Sequence, residues 1–459
     1  MTGVLWAASI WAIVLLYIYL RERQRPASER RLSIETVAIV IALLGTHSIV
    51  GATDADAILQ DPVAGERALR GLLAATALML VGFRFIRALR ANRTHGHRGL
   101  FALAIYVGIS GLSTIFSAAP VVTAAKTFEL GTGLIAVATI ALQVDGRDRL
   151  RRLVSLIVTL ESALLTVAVI GFFILPNTFA QLQARPGFIS QLTMGSPYAH
   201  PNALSSMGAL CGVYALARIL RTVGATRVRW WGVVVVGLLG TVLASGRQGV
   251  VIWIVAAAAL LVIQRPRVFA FLVVPAVVWV VAAFGAEIWD ALQRNRPTTF
   301  TTLTGRTMWW GAALDAWRDH PWTGWGYGVG GRFVALESIG RGTVSNIHSG
   351  YFEALVGVGI VGVIPLLYAI FRAGIWSLRS QLQHVEIEVA ILMVPLVLRT
   401  GVAQGFGGWL NFELVLFACL VALADIAWIQ KREDRYRMTP VPLEPGTTVR
   451  VQTLSQRPL

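Results

Sequence analysis

His348 stands where an uncharged, glycine-bearing apolar run begins, in VSNIHSGYFEALVGVGIVGVIPLLYAI at 344–370. An imidazole ordinarily titrates near pH 6.5, so it can take or steer an acceptor proton close to neutrality. Taken alone, it also reads as a helix-end histidine bonded to a neighbour. Arg247 lies in SGRQG, 245–249, a link between two apolar runs. Such a link needs glycines to turn and has no need of an arginine. A guanidinium at a membrane mouth is costly without a partner or water. Its fork suits a phosphate, which it grips through two parallel hydrogen bonds. The plainer alternative is an arginine snorkelling to the interface. Arg306, in LTGRTMWW, falls in the first turn of a predicted helix. Backbone amides there favour an anion and disfavour a cation by roughly 0.3–1 kcal/mol. A bound anion would remove that penalty; without one Arg306 is an exposed surface arginine. Arg185 in ARPGF and the run His200-Pro201-Asn202 complete the set. Arg185 also reads as part of a turn, His200 as a cap on the next apolar run, and Asn202 as that run's N-cap.

Other polar features carry less. HPWTGWGYGVGGR, 320–332, holds spaced glycines but follows no buried parallel strand, so a nucleotide cradle is a weak reading. Glycines that let backbone approach a ligand or the helix bundle fit better. THGH at 94–97 has two histidines and no cysteine or carboxylate at ligand spacing, so no metal site is expected. Cys211 and Cys419 lie far apart in apolar runs and imply neither a disulfide nor a metal site. Lys126 and Glu129 are placed to pair on one helix face. Glu161, Glu353, Glu413 and Asp425 lie in or near apolar runs, where acids are functional candidates. Glu353 is not expected to share a helix face with His348.

These residues need a frame, and the composition supplies it. Of 459 residues, 56% are hydrophobic and only 14% charged. The apolar residues gather into runs long enough to cross a bilayer, which takes about 20 residues. Spans are expected near 3–20, 34–53, 69–88, 99–117, 122–143, 150–175, 203–220, 229–244, 250–264, 268–288, 348–371, 384–400 and 409–429. The fold class is therefore an all-α polytopic transmembrane helical bundle of about 12–14 spans. Alternate links at 21–31, 84–98, 147–152, 218–229, 265–267, 372–379 and 431–459 hold 28 of the 40 lysines and arginines. The positive-inside bias puts those links in the cytoplasm and the N-terminus outside. The net charge of +16 is then topological, and nucleic acid is not an expected partner. The membrane domain is taken as 1–430, followed by a basic, disordered cytoplasmic tail at 431–459.

Two links on the far side are long, 176–201 and 289–347. The second holds six of the fifteen tryptophans: Trp289, Trp309, Trp310, Trp317, Trp322 and Trp325. Tryptophan favours the bilayer interface, so this loop is expected to lie along the outer surface. Within it, 305–321 predicts an interfacial amphipathic helix, capped by Thr304 and stopped by Pro321. Trp309, Ala312, Ala313, Ala316 and Trp317 share one face of it. Arg185, Arg247, Arg306 and His348 all fall on this outer side. Guanidiniums there would stabilise charge on a departing pyrophosphate, and the imidazole would receive or steer an acceptor hydroxyl.

The order SGRQG, then TGRTMWWGAALDAWRDHPWTGWGYG, then HSGYFEALVGVGIVG resembles the O-antigen ligase and polymerase superfamily over about 240–370. Ser349 and Phe352 replace the asparagine and leucine usual there. The resemblance implies a C-type glycosyltransferase-like helical fold and an inverting enzyme that needs no metal or other cofactor. It implies transfer of a glycan from a polyprenyl-pyrophosphate donor at the outer face of the cytoplasmic membrane. By position, Arg247 and Arg306 match pyrophosphate-gripping arginines, and His348 matches the catalytic or acceptor-positioning histidine; Arg185, on the same outer side, is taken as a further pyrophosphate contact. His200, Asn202, His320 and Tyr351 fall on motif positions that imply secondary substrate contacts. The partners so implied are the lipid-linked donor, a glycan, lipid or protein acceptor, and membrane lipids. The competing class is a transporter or flippase for lipid-linked glycans. Transporters place polar groups near the midplane and often show repeated halves. Here the polar groups gather at one rim and no repeat is visible.

Overall fold

A long apolar run has no water to satisfy its N–H and C=O groups inside a bilayer, so it closes them within a helix. The computed structural model describes residues 2–22, 33–47, 65–91, 96–182, 192–268, 275, 279, 282–283, 306–341, 346–383, 386–408 and 410–438. Helices α1 (Thr2–Glu22), α2 (Ile34–Leu44), α3 (Glu66–Arg90), α4 (Arg98–Leu112), α5 (Pro120–Ala141) and α6 (Gly146–Ile174) come first. A short antiparallel pair follows, β1 (Ala180–Leu182) against β2 (Leu192–Met194), with Gln181 opposite Thr193. Then come α7 (Pro201–Ile219), α8 (Gly224–Leu243), α9 (Arg247–Gln264), α10 (Arg306–Asp319), α11 (Gly350–Leu382), α12 (Met393–Val402) and α13 (Phe412–Met438).

Among the described residues, eight helices are long and apolar enough to cross a membrane. The protein is a multi-pass, all-α-class membrane protein with almost no sheet. Two further apolar helices, Val4–Leu20 and Ile34–His47, are shorter. The run expected to span at 384–400 is not one helix: a single turn, Ile387–Ala390, is separated from α12. The span expected at 268–288 and most of the loop from 289, including Trp289 and Thr304, lie outside the described residues. Helix α13 runs on to Met438 and so takes in the start of the basic tail.

The apolar stripe of α10 packs on protein, where an interfacial helix would lay it on lipid. Ala312, Ala313 and Ala316 are buried with Ala335, Leu336, Ile347 and Val356, and Trp309, Trp317 and Trp325 close over them. The stretch after α10 enters a break in α11 that the sequence did not announce. Gly359 takes φ +62° and ψ −170°, which interrupts the helix. Ile360 N donates to Pro321 O at 2.9 Å, and Val361 N to Trp322 O at 3.3 Å. Trp325 N donates to Val356 O at 2.8 Å, and Gly326 N to Gly357 O at 2.9 Å. The inserted segment thus satisfies backbone groups that the break leaves open, which is how irregular backbone survives within a membrane protein. Gly326, at φ +107°, adopts a conformation that an L side chain rarely takes. Gly324, Gly326 and Gly330 serve this splice.

The ends of the bundle differ. At one end Asp425 of α13 accepts from the N–H groups of Gly99 and Leu100 at 3.0 and 2.9 Å, and pairs with Arg372 at 2.7 Å. That acid caps α4 and is structural. At the same end Arg147, Arg151, Arg218 and Arg221 surround the buried carboxylates of Glu386 and Glu388. The other end holds His348.

Candidate functional site

Arg247, Arg306, His348 and His200 are each held at the start of a helix. Ser245 takes a left-handed turn, φ +50°, after α8, and Gly246 then begins α9 with Arg247 as its first residue. Arg306 begins α10. His348 precedes Ser349, which caps α11. His200 caps α7: its Nδ1 accepts from the Asn202 N–H at 3.2 Å, with Pro201 in the first helical position. The cap is therefore His200, and Asn202, expected in that role, lies inside the first turn.

Contacts draw these four starts together. Arg306 Nη1 donates to Gln248 Oε1 at 3.4 Å, which joins the first turns of α10 and α9. It also donates to Val402 O at 2.7 Å, at the end of α12. Gly350 N donates to Ala403 O at 2.8 Å, tying the start of α11 to the same place. Arg399 of α12 donates to Asn202 O at 3.5 Å, which adds α7. Trp309 stacks on the His348 ring, with centroids 5.2 Å apart and 28° between the planes. Helix N-termini carry unsatisfied N–H groups and a positive partial charge, so their convergence favours an anion.

Charges crowd here. Burial, then the nearby Arg399 charge, push the Arg306 guanidinium below its ordinary value. Burial, then the charges of Arg306, His200 and Arg399, hold the His348 imidazole down to about 3. His348 is thus neutral at physiological pH, with a lone pair to offer. Like charges held together in a half-buried place are costly, and an anion relieves them. Glu413 of α13, itself buried, relieves part of it already through an ion pair with the mostly buried Arg399.

Arg399 is the residue that sequence reasoning missed. Its signal was present, since Arg399 and Glu413 put opposite charges into neighbouring apolar runs. Tyr351 lies beside the site, but its hydroxyl donates to Val397 O at 3.2 Å and fastens α11 to α12. His320 is not brought to the site. It is exposed at the far end of α10, whose 14 residues put it roughly 20 Å along the axis from Arg306, and its ring meets Trp325 edge-on at 4.0 Å. Arg185 lies outside the described residues. No group of three or more histidines, cysteines and acids suited to a metal ion occurs among the described residues.

Residues 232–367 match the family described as O-antigen ligase. The match supports the O-antigen ligase superfamily. None of the curated proteins matches the chain significantly. The O-antigen ligase-like stretch carries Arg247, Arg306, His320, His348 and Tyr351, whereas His200, Asn202, Arg399 and Glu413 lie beyond its ends.

Proposed function

We propose that this protein is a glycosyltransferase that moves a glycan from a polyprenyl-pyrophosphate donor to an acceptor hydroxyl. The site faces the outside of the cytoplasmic membrane, with the N-terminus outside and the C-terminus in the cytoplasm. The arginine bias of the opposite end supports that orientation. One observation carries the reading: four helix starts and the guanidiniums of Arg306 and Arg399 gather around a neutral imidazole.

Chemically, the acceptor oxygen attacks the anomeric carbon, and the bond from that carbon to the pyrophosphate oxygen breaks. The electron pair leaves on the pyrophosphate, where Arg306 and Arg247 stabilise it with the amide ends of α9 and α10. The acceptor proton passes to His348. A base held down to about 3 is weak in the empty site. Binding a polyanion offsets the neighbouring cations and recovers the part of its basicity that they, and not burial, remove, so the donor helps to arm the base. A single displacement of this kind inverts the anomeric centre. Guanidiniums supply the charge stabilisation, so the proposed reaction needs no divalent metal.

Deleting the gene and resolving the surface glycans on a gel tests this directly. Shortened chains indicate a polymerase, and accumulated lipid-linked polymer with lost attachment indicates a ligase. Unchanged surface and lipid-linked glycans would remove the transferase reading.

A further inference from the structure

His348 sits at φ +53°, a left-handed conformation that a non-glycine residue keeps only when its surroundings impose it. Three side chains impose it here. His348 N donates to Asn346 Oδ1 at 2.9 Å. Trp310 Nε1 donates to Ile347 O at 3.2 Å, and its ring stacks on Phe352. Ile347 N donates to Glu353 Oε1 at 3.0 Å, a buried bond.

The third contact comes from the other side of the helix start. Glu353 belongs to α11, yet its carboxylate reaches back past Gly350 to the residue before the histidine. The acid is 6% exposed. It is also wedged: a Cβ added to Gly331 would stand 2.4 Å from Glu353 Oε2. Lys126 of α5 lies within electrostatic reach. An intramembrane acid is costly to keep, and nothing in the proposed transfer chemistry uses this one directly.

We propose that Glu353 is a positioning residue for His348. Its carboxylate fixes the Ile347 amide, and with it the left-handed turn that aims the imidazole. This inference rests on His348 being the group that takes the acceptor proton. Gly331 serves the same end, since any side chain there would displace the carboxylate.

The test uses the full chain in lipid nanodiscs and two readouts. The first is transfer from polyprenyl-pyrophosphate-linked oligosaccharide isolated from the cells that make the protein. The second is amide hydrogen exchange at Ile347 and His348, which needs no activity. Glu353→Ala should lower kcat roughly 10- to 100-fold, as a misplaced group does, with donor KM within about twofold of wild type. Exchange at Ile347 and His348 should accelerate. Glu353→Gln keeps both the volume and an accepting oxygen, and should regain most of kcat even if the alanine variant folds poorly. Wild-type kcat in Glu353→Ala, unchanged exchange, or a glutamine variant no better than alanine would overturn the assignment. Accelerated exchange in Glu353→Ala, beside a wild-type protein that transfers nothing, would instead keep the positioning link and remove the transferase reading.

Discussion

Arg306 donates through one nitrogen, Nη1, both to Val402 O at 2.7 Å and to Gln248 Oε1 at 3.4 Å. One arginine therefore ties the starts of α9 and α10 to the end of α12. The rest of its fork stays available for a phosphate. A lysine has a single compact head and cannot do both jobs in one geometry. Arg306→Lys should raise the donor KM by about tenfold and lower kcat as well, and Arg306→Ala should do more of each. Donor titrations with the purified chain check this. A lysine variant with wild-type constants would mean that the fork is not used.

Acid should weaken the protein through His348. Its folded value is held down to about 3 by burial and by Arg306, His200 and Arg399, whereas an unfolded histidine titrates near 6.5. The unfolded chain therefore binds the proton first as pH falls. The stability from keeping this imidazole neutral is complete above 6.5 and is lost as pH drops from there toward 3. Melting in detergent at about pH 7 and about pH 5 should show a larger loss in wild type than in His348→Gln. In steady state the same group predicts a shift with ligation. The acid limb of kcat, which reports the donor complex, should lie at higher pH than that of kcat/KM. Coincident limbs would argue against arming of the base by the donor.

Trp309 is the wall against which the imidazole rests. Stacking of aromatic rings is worth about 0.5–1.5 kcal/mol beyond buried area, enough to hold one rotamer over another. Trp309→Ala should cost roughly tenfold in kcat and leave donor binding close to wild type, and Trp309→Phe should recover most of the loss. Turnover assays on the three proteins separate this from general destabilisation, which phenylalanine would relieve without a selective effect on kcat.

How much of this was legible follows from what each feature depends on. Long apolar runs specify helices by composition, so the bundle could be read directly. Arg247, Arg306 and His348 could be read because their types are out of place at helix starts. The break in α11 could not, since GVGIVG reads as ordinary membrane helix and only the insertion of 321–326 reveals the role of Gly359. The reach of Glu353 back to Ile347 could not be read for a related reason. Helix-face reasoning assumes a helix on both sides, and the chain before Gly350 is not helical. His320 adjoins a motif in sequence, but α10 carries it away from the site.

Arg399 and Glu413 offer the sharpest separation of stability from function. Glu413 is buried and Arg399 is mostly so, and their ion pair links α12 to α13 beside His348. Removing one partner leaves the other as a buried uncompensated charge, which typically costs 3–5 kcal/mol. Arg399→Met alone should therefore destabilise strongly by leaving Glu413 bare, and Glu413→Met should do likewise by leaving Arg399 bare. Replacing both with methionine removes both charges at similar volume, and such exchanges are often neutral or stabilising. The double variant should melt near the wild-type temperature. If Arg399 serves only to hold α12 against α13, that protein should also transfer glycan normally. If Arg399 lends its charge to the anion site, as its nearness to Arg306 and His348 argues, the well-folded double variant should show a raised donor KM and a lower kcat. The acid-dependent weakening ascribed to His348 should ease slightly alongside it, because the smallest of the causes depressing that imidazole is gone while burial, Arg306 and His200 remain. A double variant that is stable, fully active and unchanged in its pH response would confine Arg399 to a structural role.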